Sequence, residues 1–259
     1  MLDLTSSVHK TFALLEYFTV QKPEWGVTEL SNEIGANKST VFRFLAQMQS
    51  IGILDKDSFT ERYRLGLKLF ELGNRVELRS AFIEKTHPVL ESVAKDITET
   101  VHIGVLKNHK VLYVDKVESP HGLRISSHIG SFNPSYATGL GKVLLAFLSD
   151  EVRDNTLEFI FNQEDLKSYT NNTIIDKKQM IGELELIRAN QYAIDREEFE
   201  IGLICIAIPI FNQNQDVVAS LSASGPASRF KEDEIQKYVD TLKKGAIGIQ
   251  EKIGTFKLL

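Results

Sequence analysis

Hydrogen-bond donors recur along one predicted helix near the start of the 259-residue chain. Apolar residues spaced three and four apart predict a helix that ends near Gln49, with Asn37 or Ser39 as its N-cap. Side chains of the types on its exposed face contact phosphates and base edges in DNA. The residues on that face are Lys38, Ser39, Thr40, Arg43 and Gln47.

The elements around this helix predict how it is positioned. A shorter helix capped by Thr28 precedes it across the turn at 35–37, and a hairpin over 53–65 follows it. This is the pattern of a winged helix-turn-helix, in which Arg62 on the hairpin would add a DNA contact. Residues 35–54 contain no Asp or Glu, which favours approach to phosphates.

An ordinary helical bundle with a solvated polar face is the alternative to DNA binding. Over residues 1–66 the chain has seven basic and eight acidic residues, which favours that alternative. The net charge differs locally, however. Within residues 35–54 the charged residues are Lys38 and Arg43, so this stretch is positively charged.

A second set of residues is suited to a small acid. Thr138-Gly139-Leu140-Gly141 opens a predicted helix, and a helix N-terminus favours an anion. Asp195 can accept hydrogen bonds from hydroxyls. Three further candidates lie on predicted strands, two of them sharing one face: Cys205, Ser222 and Ser224.

Each of these residues also has an ordinary structural explanation. Glycines before a helix are commonly plain caps, and Asp195 could cap a helix or be solvated. Cys205 could be a small core residue, and the serines could be ordinary strand residues.

Other chemistry lacks its sequence signals. The "GLGK" segment is not a phosphate loop, because Tyr136 and Val143 stand where that pattern needs Gly and Ser or Thr. No Ser lies in a G-x-S-x-G elbow, and the adjacent Glu197 and Glu198 cannot face each other across a substrate. The His residues follow no zinc spacing. We therefore predict no catalytic residue, no metal site and no cofactor.

Composition narrows the class of protein further. The chain is 42% apolar with a formal net charge of −5, which excludes overall disorder and a generally basic nucleic-acid coat. The apolar run 203–211 is too short to span a bilayer, and the first ten residues lack a secretory pattern. A single cysteine excludes an internal disulfide framework. We expect a cytoplasmic protein with no membrane partner.

Several motifs together carry a family resemblance. "GVTELSNEIGANKSTVFRFLAQMQSIGIL" and "RYRLGLKLFELG" are followed by "NPSYATGLGKVLLA", "DREEFEIGLICIAIPIF" and "SLSASGP". In this order they resemble the IclR family of bacterial transcriptional regulators. Three segments, "KSTVFRFL", "LKLFELG" and "NPSYATGLGKVLLA", are especially similar to its KdgR-like branch, which responds to 2-keto-3-deoxygluconate. Phe42 departs from that branch, which tends to have Tyr, so operator preference is expected to differ.

The resemblance implies an α+β architecture in three parts. These are a winged helix-turn-helix over 1–66, a linker helix over 67–84 and a GAF-like α/β effector domain with a mostly antiparallel sheet over 85–259. The linker helix carries an apolar stripe that could be a dimer seam. The family further implies dimers, or dimers of dimers, on near-palindromic double-stranded operator DNA.

The resemblance also assigns roles to residues. Ser39, Thr40 and Arg43 match its recognition helix. The residues that match its effector pocket are Gly139, Leu140, Asp195, Cys205, Ser222 and Ser224, with Ile125 and Leu203 as apolar walls. The implied function is a repressor of sugar-acid catabolism genes controlled by a small carboxylate. The alternatives are an enzyme of small-acid metabolism with an appended helical domain, and a sensor that binds protein partners through its first domain.

Overall fold

The computed structural model describes residues 6–76, 82–121, 127–164 and 166–255. The chain divides into two compact units on either side of the junction between residues 77 and 78. The described part of the predicted linker, residues 67–76, groups with the first unit.

The first unit combines short helices with a small antiparallel sheet, as the hairpin pattern predicted. Its strands are ordered β1-β3-β2, and β1 was not predicted. The elements are α1 (Ser7–Leu15), β1 (Glu24–Trp25), α2 (Val27–Glu33), α3 (Lys38–Ser50), β2 (Leu54–Lys56), β3 (Tyr63–Leu65) and α4 (Leu67–Gly73).

Capping residues set the limits of the two central helices. Asn37 caps α3, because its Oδ1 accepts from the backbone N of Ser39 at 2.9 Å. Gly52 follows α3 with a φ of +78°, a conformation that favours glycine and stops the helix. The prediction that Thr28 caps α2 is wrong: Gly26 is the N-cap, and its N–H donates to the Glu29 side chain.

The core of the first unit follows only part of the helical spacing of its apolar residues. Val8 and Phe12 are spaced four apart, but each is 62% exposed, and Leu14 is the buried residue of α1. Leu72 on α4 and Val76, beyond the end of α4, are also exposed. The core residues are Leu14, Phe18, Trp25, Leu30, Val41, Leu45, Met48, Leu54 and Tyr63.

The second unit contains a six-stranded antiparallel sheet, which confirms the predicted sheet type. The strand order is β6-β5-β4-β9-β8-β7. The strands are β4 (Thr100–Lys107), β5 (Lys110–Val117), β6 (Phe132–Pro134), β7 (Ala193–Arg196), β8 (Leu203–Phe211) and β9 (Val217–Pro226). The helices are α5 (Glu84–Ile97), α6 (Gly139–Ala146), α7 (Asp150–Phe161), α8 (Lys177–Asn190) and α9 (Ile235–Ile253).

The outer strands of the sheet differ from what the apolar pattern indicates. Residues 123–129 have the pattern of a strand, but 122–126 lie outside the described part and 127–129 are not a strand. The strand that pairs with the outer side of β5 is β6. Strand β7 was not predicted, and it forms the far edge of the sheet.

Helices cover both faces of this sheet, so its strands are buried on both sides. Helices α5 and α9 pack on one face, where strand residues such as Ile103 and Leu221 are fully buried. Helix α6 packs on the other face with α8 behind it, which explains why every residue of α6 is buried. Among the described residues, no helix is long and apolar enough to cross a membrane.

Two backbone carbonyls on the outer edge of β7, the side away from β8, accept hydrogen bonds from side chains. Lys142 Nζ donates to the carbonyl of Ile194 at 2.9 Å, and Asn172 Nδ2 donates to that of Arg196 at 2.9 Å. These contacts fix β7 against the polypeptide around it.

Candidate functional site

Helix α3 presents the predicted donor side chains on one surface of the first unit. Lys38, Ser39, Arg43 and Gln47 are exposed, and Thr40 is partly buried. Positions 39, 43 and 47 are four residues apart and therefore share one helix face. On the opposite side, the apolar stripe of α3 lies in the core. The helix is thus anchored by one side and offers donors on the other, as docking in a major groove requires.

Arg62 makes a structural contact rather than projecting freely from the hairpin. Its Nη2 donates to Glu29 Oε2 at 2.6 Å and to the carbonyl of Glu24 at 3.1 Å. The side chain therefore ties α2 to the sheet. Arg64, two residues along β3, is exposed.

In the second unit, a row of polar side chains crosses the sheet beneath the start of α6. Asp195 on β7 lies directly opposite Cys205 on β8, which lies opposite Ser224 on β9. Directly opposed residues of antiparallel strands project from the same face. Gly139 lies over this row, because a Cβ added to it would be 3.2 Å from Cys205 Sγ.

The first turn of α6 provides backbone donors at this position. Thr138 is the N-cap, and its Oγ1 accepts from Gly141 N at 3.3 Å. The N–H groups of Gly139 and Leu140 precede the first possible intrahelical bonds, and such a helix N-terminus attracts anions. Close packing also requires glycine at position 141, because a Cβ there would be 2.2 Å from Ser135 O, and the ligand contact predicted for Gly141 stays a prediction.

A small cavity adjoins the polar row. Its volume is about 20 Å³, enough for one water molecule. Four predicted pocket residues line it: Asp195, Leu203, Cys205 and Ser224. Leu140 instead packs in the core beneath α6, and Ser222 lies deeper along β9. Ile125 lies outside the described residues.

The cavity is also lined by Thr138, the N-cap of α6, and by residues that were not predicted. The latter come largely from β4, β5, β6 and the segment between β7 and β8. These residues are His102, Tyr113, Ser127, Asn133, Phe199 and Glu200. A histidine within the apolar strand "TVHIGVLK" was the one local signal for them.

Burial controls the protonation of the polar row. Burial and the neighbouring Glu198 raise the pKa of Asp195 to about 7. Burial and the nearby Asp195 raise the pKa of the Cys205 thiol to about 11, so the thiol is neutral at physiological pH. Asp195 therefore exchanges its proton near neutral pH and can sit beside an anion in its uncharged form.

A buried ion cluster positions Asp195. The Lys142 side chain is 1% exposed, and its Nζ contacts Glu198 Oε1 at 2.5 Å and Glu183 Oε1 at 2.9 Å. The backbone N of Glu198 in turn donates to Asp195 Oδ1 at 2.7 Å. Burial opposes the charge on Lys142, but attraction to the two glutamates outweighs it and raises the Lys142 pKa. Among the described residues, no group of three or more His, Cys, Asp or Glu side chains forms a metal site.

Comparisons with known proteins agree with both parts of this description. Residues 7–58 match the IclR helix-turn-helix domain, and residues 77–251 match the bacterial transcriptional regulator IclR C-terminal family. The HTH-type transcriptional regulator KdgR of Escherichia coli K12 is 38% identical over 253 residues, covering 97% of this chain and 94% of that protein. KdgR of Dickeya chrysanthemi is also 38% identical, covering 97% of this chain and 81% of the relative.

Solved structures show the same architecture. The crystal structure of Thermotoga maritima IclR has a TM-score of 0.75 at 31% identity, covering 96% of this chain and 98% of that one. An IclR homologue from Microbacterium hydrocarbonoxydans, crystallised with 4-hydroxybenzoate, has a TM-score of 0.83 at 23% identity, covering 96% and 99%, and it supports the fold alone. With both units matched and relatives aligned along nearly its whole length, the chain belongs to the IclR family of DNA-binding transcriptional regulators.

Proposed function

We propose that this regulator is a cytoplasmic repressor of sugar-acid catabolism genes, released from its operator by a small keto acid such as 2-keto-3-deoxygluconate. The observation that carries this proposal is the buried polar row of Asp195, Cys205 and Ser224 beneath the N-terminus of α6. The 38% identity with KdgR regulators supports the choice of effector. Membership of a family of transcriptional regulators removes the enzyme alternative.

The parts of a sugar acid correspond to the groups around the cavity. Its carboxylate suits the N–H groups of Gly139 and Leu140 at the helix N-terminus. Its hydroxyls suit Asp195 and Ser224, which both line the cavity. Because the pKa of Asp195 is raised to about 7, the residue can take up a proton and avoid repelling the ligand's charge.

The size of the cavity provides a physical basis for the response. At about 20 Å³ it is far smaller than the few hundred Å³ of ordinary ligand pockets. An effector must therefore bind a wider form of the second unit. Such a ligand shifts the population toward that form, because its affinity for the two forms differs.

On the DNA side, α3 would enter the major groove with Lys38, Thr40, Arg43 and Gln47 toward the duplex. Ser39 lies on the same face, but its hydroxyl donates to Asn37. Two copies acting as a dimer, or a dimer of dimers, would reach successive half-sites of a palindrome. Arg62 on the hairpin would add a contact to the duplex if its side chain left Glu29 and the carbonyl of Glu24, which accept its hydrogen bonds in the free protein.

The test combines thermal melting with operator binding. We expect 2-keto-3-deoxygluconate to raise the melting midpoint by mass action, above the effects of glyoxylate and 4-hydroxybenzoate. The same ligand should weaken binding to a promoter fragment in a gel-shift titration. The Asp195→Ala variant should lose the ligand response and keep DNA binding. A ligand that leaves the melting midpoint unchanged, or that strengthens operator binding, contradicts the proposal.

A further inference from the structure

Two buried polar atoms on the α6 face of the sheet are without partners. His102 on β4 is 2% exposed, and its Nε2 lies 2.8 Å from Ser127 Oγ. Among the described residues, neither His102 Nδ1 nor Ser222 Oγ has a hydrogen-bond partner. The two residues are directly opposed on β4 and β9. Buried polar groups are seldom left without a partner, because burial then removes their bonds to water, so His102 Nδ1 points to a missing partner.

Neutral hydrogen-bonding groups surround His102. The ring of Tyr113 meets the imidazole edge to face, with centroids 5.2 Å apart. Tyr113 Oη accepts from Asn133 Nδ2 at 3.3 Å. Burial raises the pKa of Tyr113, so its phenol keeps a proton to donate. His102, Tyr113, Ser127 and Asn133 all line the cavity that Asp195, Cys205 and Ser224 line from the other side.

This side of the cavity differs chemically from the side under α6. Burial and nearby Lys116 lower the pKa of His102 to about 3, so the imidazole is uncharged at physiological pH. His102, Tyr113, Ser127 and Asn133 are then all neutral, and each can donate or accept a hydrogen bond, while Glu200 also lines the cavity. A carboxylate only accepts hydrogen bonds, so it cannot use the acceptors among these four groups. A hydroxyl, which both donates and accepts, is well matched to them.

We propose that His102, together with Tyr113 and Asn133, binds the hydroxyl-bearing tail of the effector and selects a hydroxylated keto acid over a short one. This inference rests on the proposed function, since it assumes a keto acid bound between the two sides of the cavity. The end under α6 holds the carboxylate, and the His102 side recognises the tail.

Two substitutions at His102 distinguish the roles of its two ring nitrogens. The amide of Gln reaches the position of Nε2 and keeps the contact with Ser127, but it leaves no polar atom at Nδ1. The amide of Asn reaches the position of Nδ1. The probes are 2-keto-3-deoxygluconate and pyruvate, which share a carboxylate and a ketone, while the first alone carries hydroxyls.

We expect His102→Gln to raise the Kd for 2-keto-3-deoxygluconate about tenfold in calorimetry, because the variant loses one buried hydrogen bond to the ligand. His102→Asn should recover most of that loss. The Kd for pyruvate should change less than about twofold in both variants, because pyruvate has no group for this subsite to bind. If either variant does not fold, Tyr113→Phe removes the phenol hydroxyl alone and should weaken the hydroxylated acid selectively.

Several outcomes overturn the inference. An unchanged Kd in His102→Gln, an equal loss in the Gln and Asn variants, or a matching loss for pyruvate would each do so. If the parent protein binds pyruvate as tightly as the hydroxylated acid, the subsite is absent while a keto-acid regulator still stands. If the parent binds neither acid, the proposed function fails, and this inference falls with it.

Discussion

Helix α3 and the cavity beneath α6 hold their polar side chains in opposite environments, exposed on the helix and mostly buried around the cavity. On α3 the donors are exposed, and the apolar stripe on the other side of the helix carries the fold. Around the cavity most of the polar side chains are themselves buried, and His102 and Asn133 bond to Ser127 and Tyr113. We therefore expect substitutions on the exposed face of α3 to cost little stability, and substitutions around the cavity to disturb the fold.

Among the substitutions that test this contrast, Lys142→Met should cause the largest loss of stability. The substitution leaves Glu198 buried without its counter-charge, so the free energy of unfolding should fall by about 3–5 kcal/mol in urea titrations. The control is Lys177→Met, which removes a solvent-exposed pair with Glu158 and should cost less than about 1 kcal/mol. Equal small losses in the two variants would show that the cluster does not support the fold.

A matched pair of glycines sharpens the contrast within the second unit. Gly141→Ala would place a methyl group against the Ser135 backbone and should destabilise the protein by about 1–3 kcal/mol. Gly182 in α8 has no atom within 4 Å of an added Cβ, so Gly182→Ala should stabilise it by up to about 1 kcal/mol. Thermal and chemical denaturation measure both. Two changes of the same sign would refute the close packing at Gly141.

For the exposed donors of α3, we expect Arg43→Ala to weaken operator binding by about tenfold. Its melting midpoint and its affinity for the effector should match those of the parent, because the side chain is solvated. Lys244→Ala removes an exposed charge from α9 and serves as the control in the same gel-shift titration. Equal operator affinity for Arg43→Ala and the parent would remove α3 from the DNA interface.

The last comparison concerns pH. The pKa of Asp195 is 3.8 unfolded and about 7 in the folded protein, so the folded state binds more protons between these values. This residue therefore makes stability fall as pH rises from about 4 to 7. Asp195→Asn should flatten that part of the profile of unfolding free energy, whereas Asp240→Asn, at an exposed position, should not. A profile of unchanged slope in Asp195→Asn would contradict the raised pKa.

The sequence was most informative where local rules decide the outcome. Asn37 and Gly52 delimit α3 through capping, and periodicity identifies its buried stripe, so the recognition face was predictable. The contact between Arg62 and Glu29 was not predictable, because the two residues lie 33 positions apart and no local pattern reveals that pairing. Strand β7 was missed because it has four residues and its pairing with β8 is a tertiary feature.

The cavity shows the same limit. Asp195, Cys205 and Ser224 could be proposed from their chemistry and from the family motifs. His102 could not, since a single histidine in an apolar strand does not indicate which way it faces. The close packing at Gly141 was likewise not predictable, because Ser135 approaches it only in the folded chain.

The occupied carbonyls of β7 have a consequence for how the protein behaves among its own copies. A free strand at the margin of a sheet is a template for intermolecular pairing and aggregation. Here Lys142 and Asn172 already use the acceptors at Ile194 and Arg196. Lys142, which holds Glu198 beside Asp195, thereby also occupies an acceptor that the strand of a neighbouring molecule would need to extend the sheet.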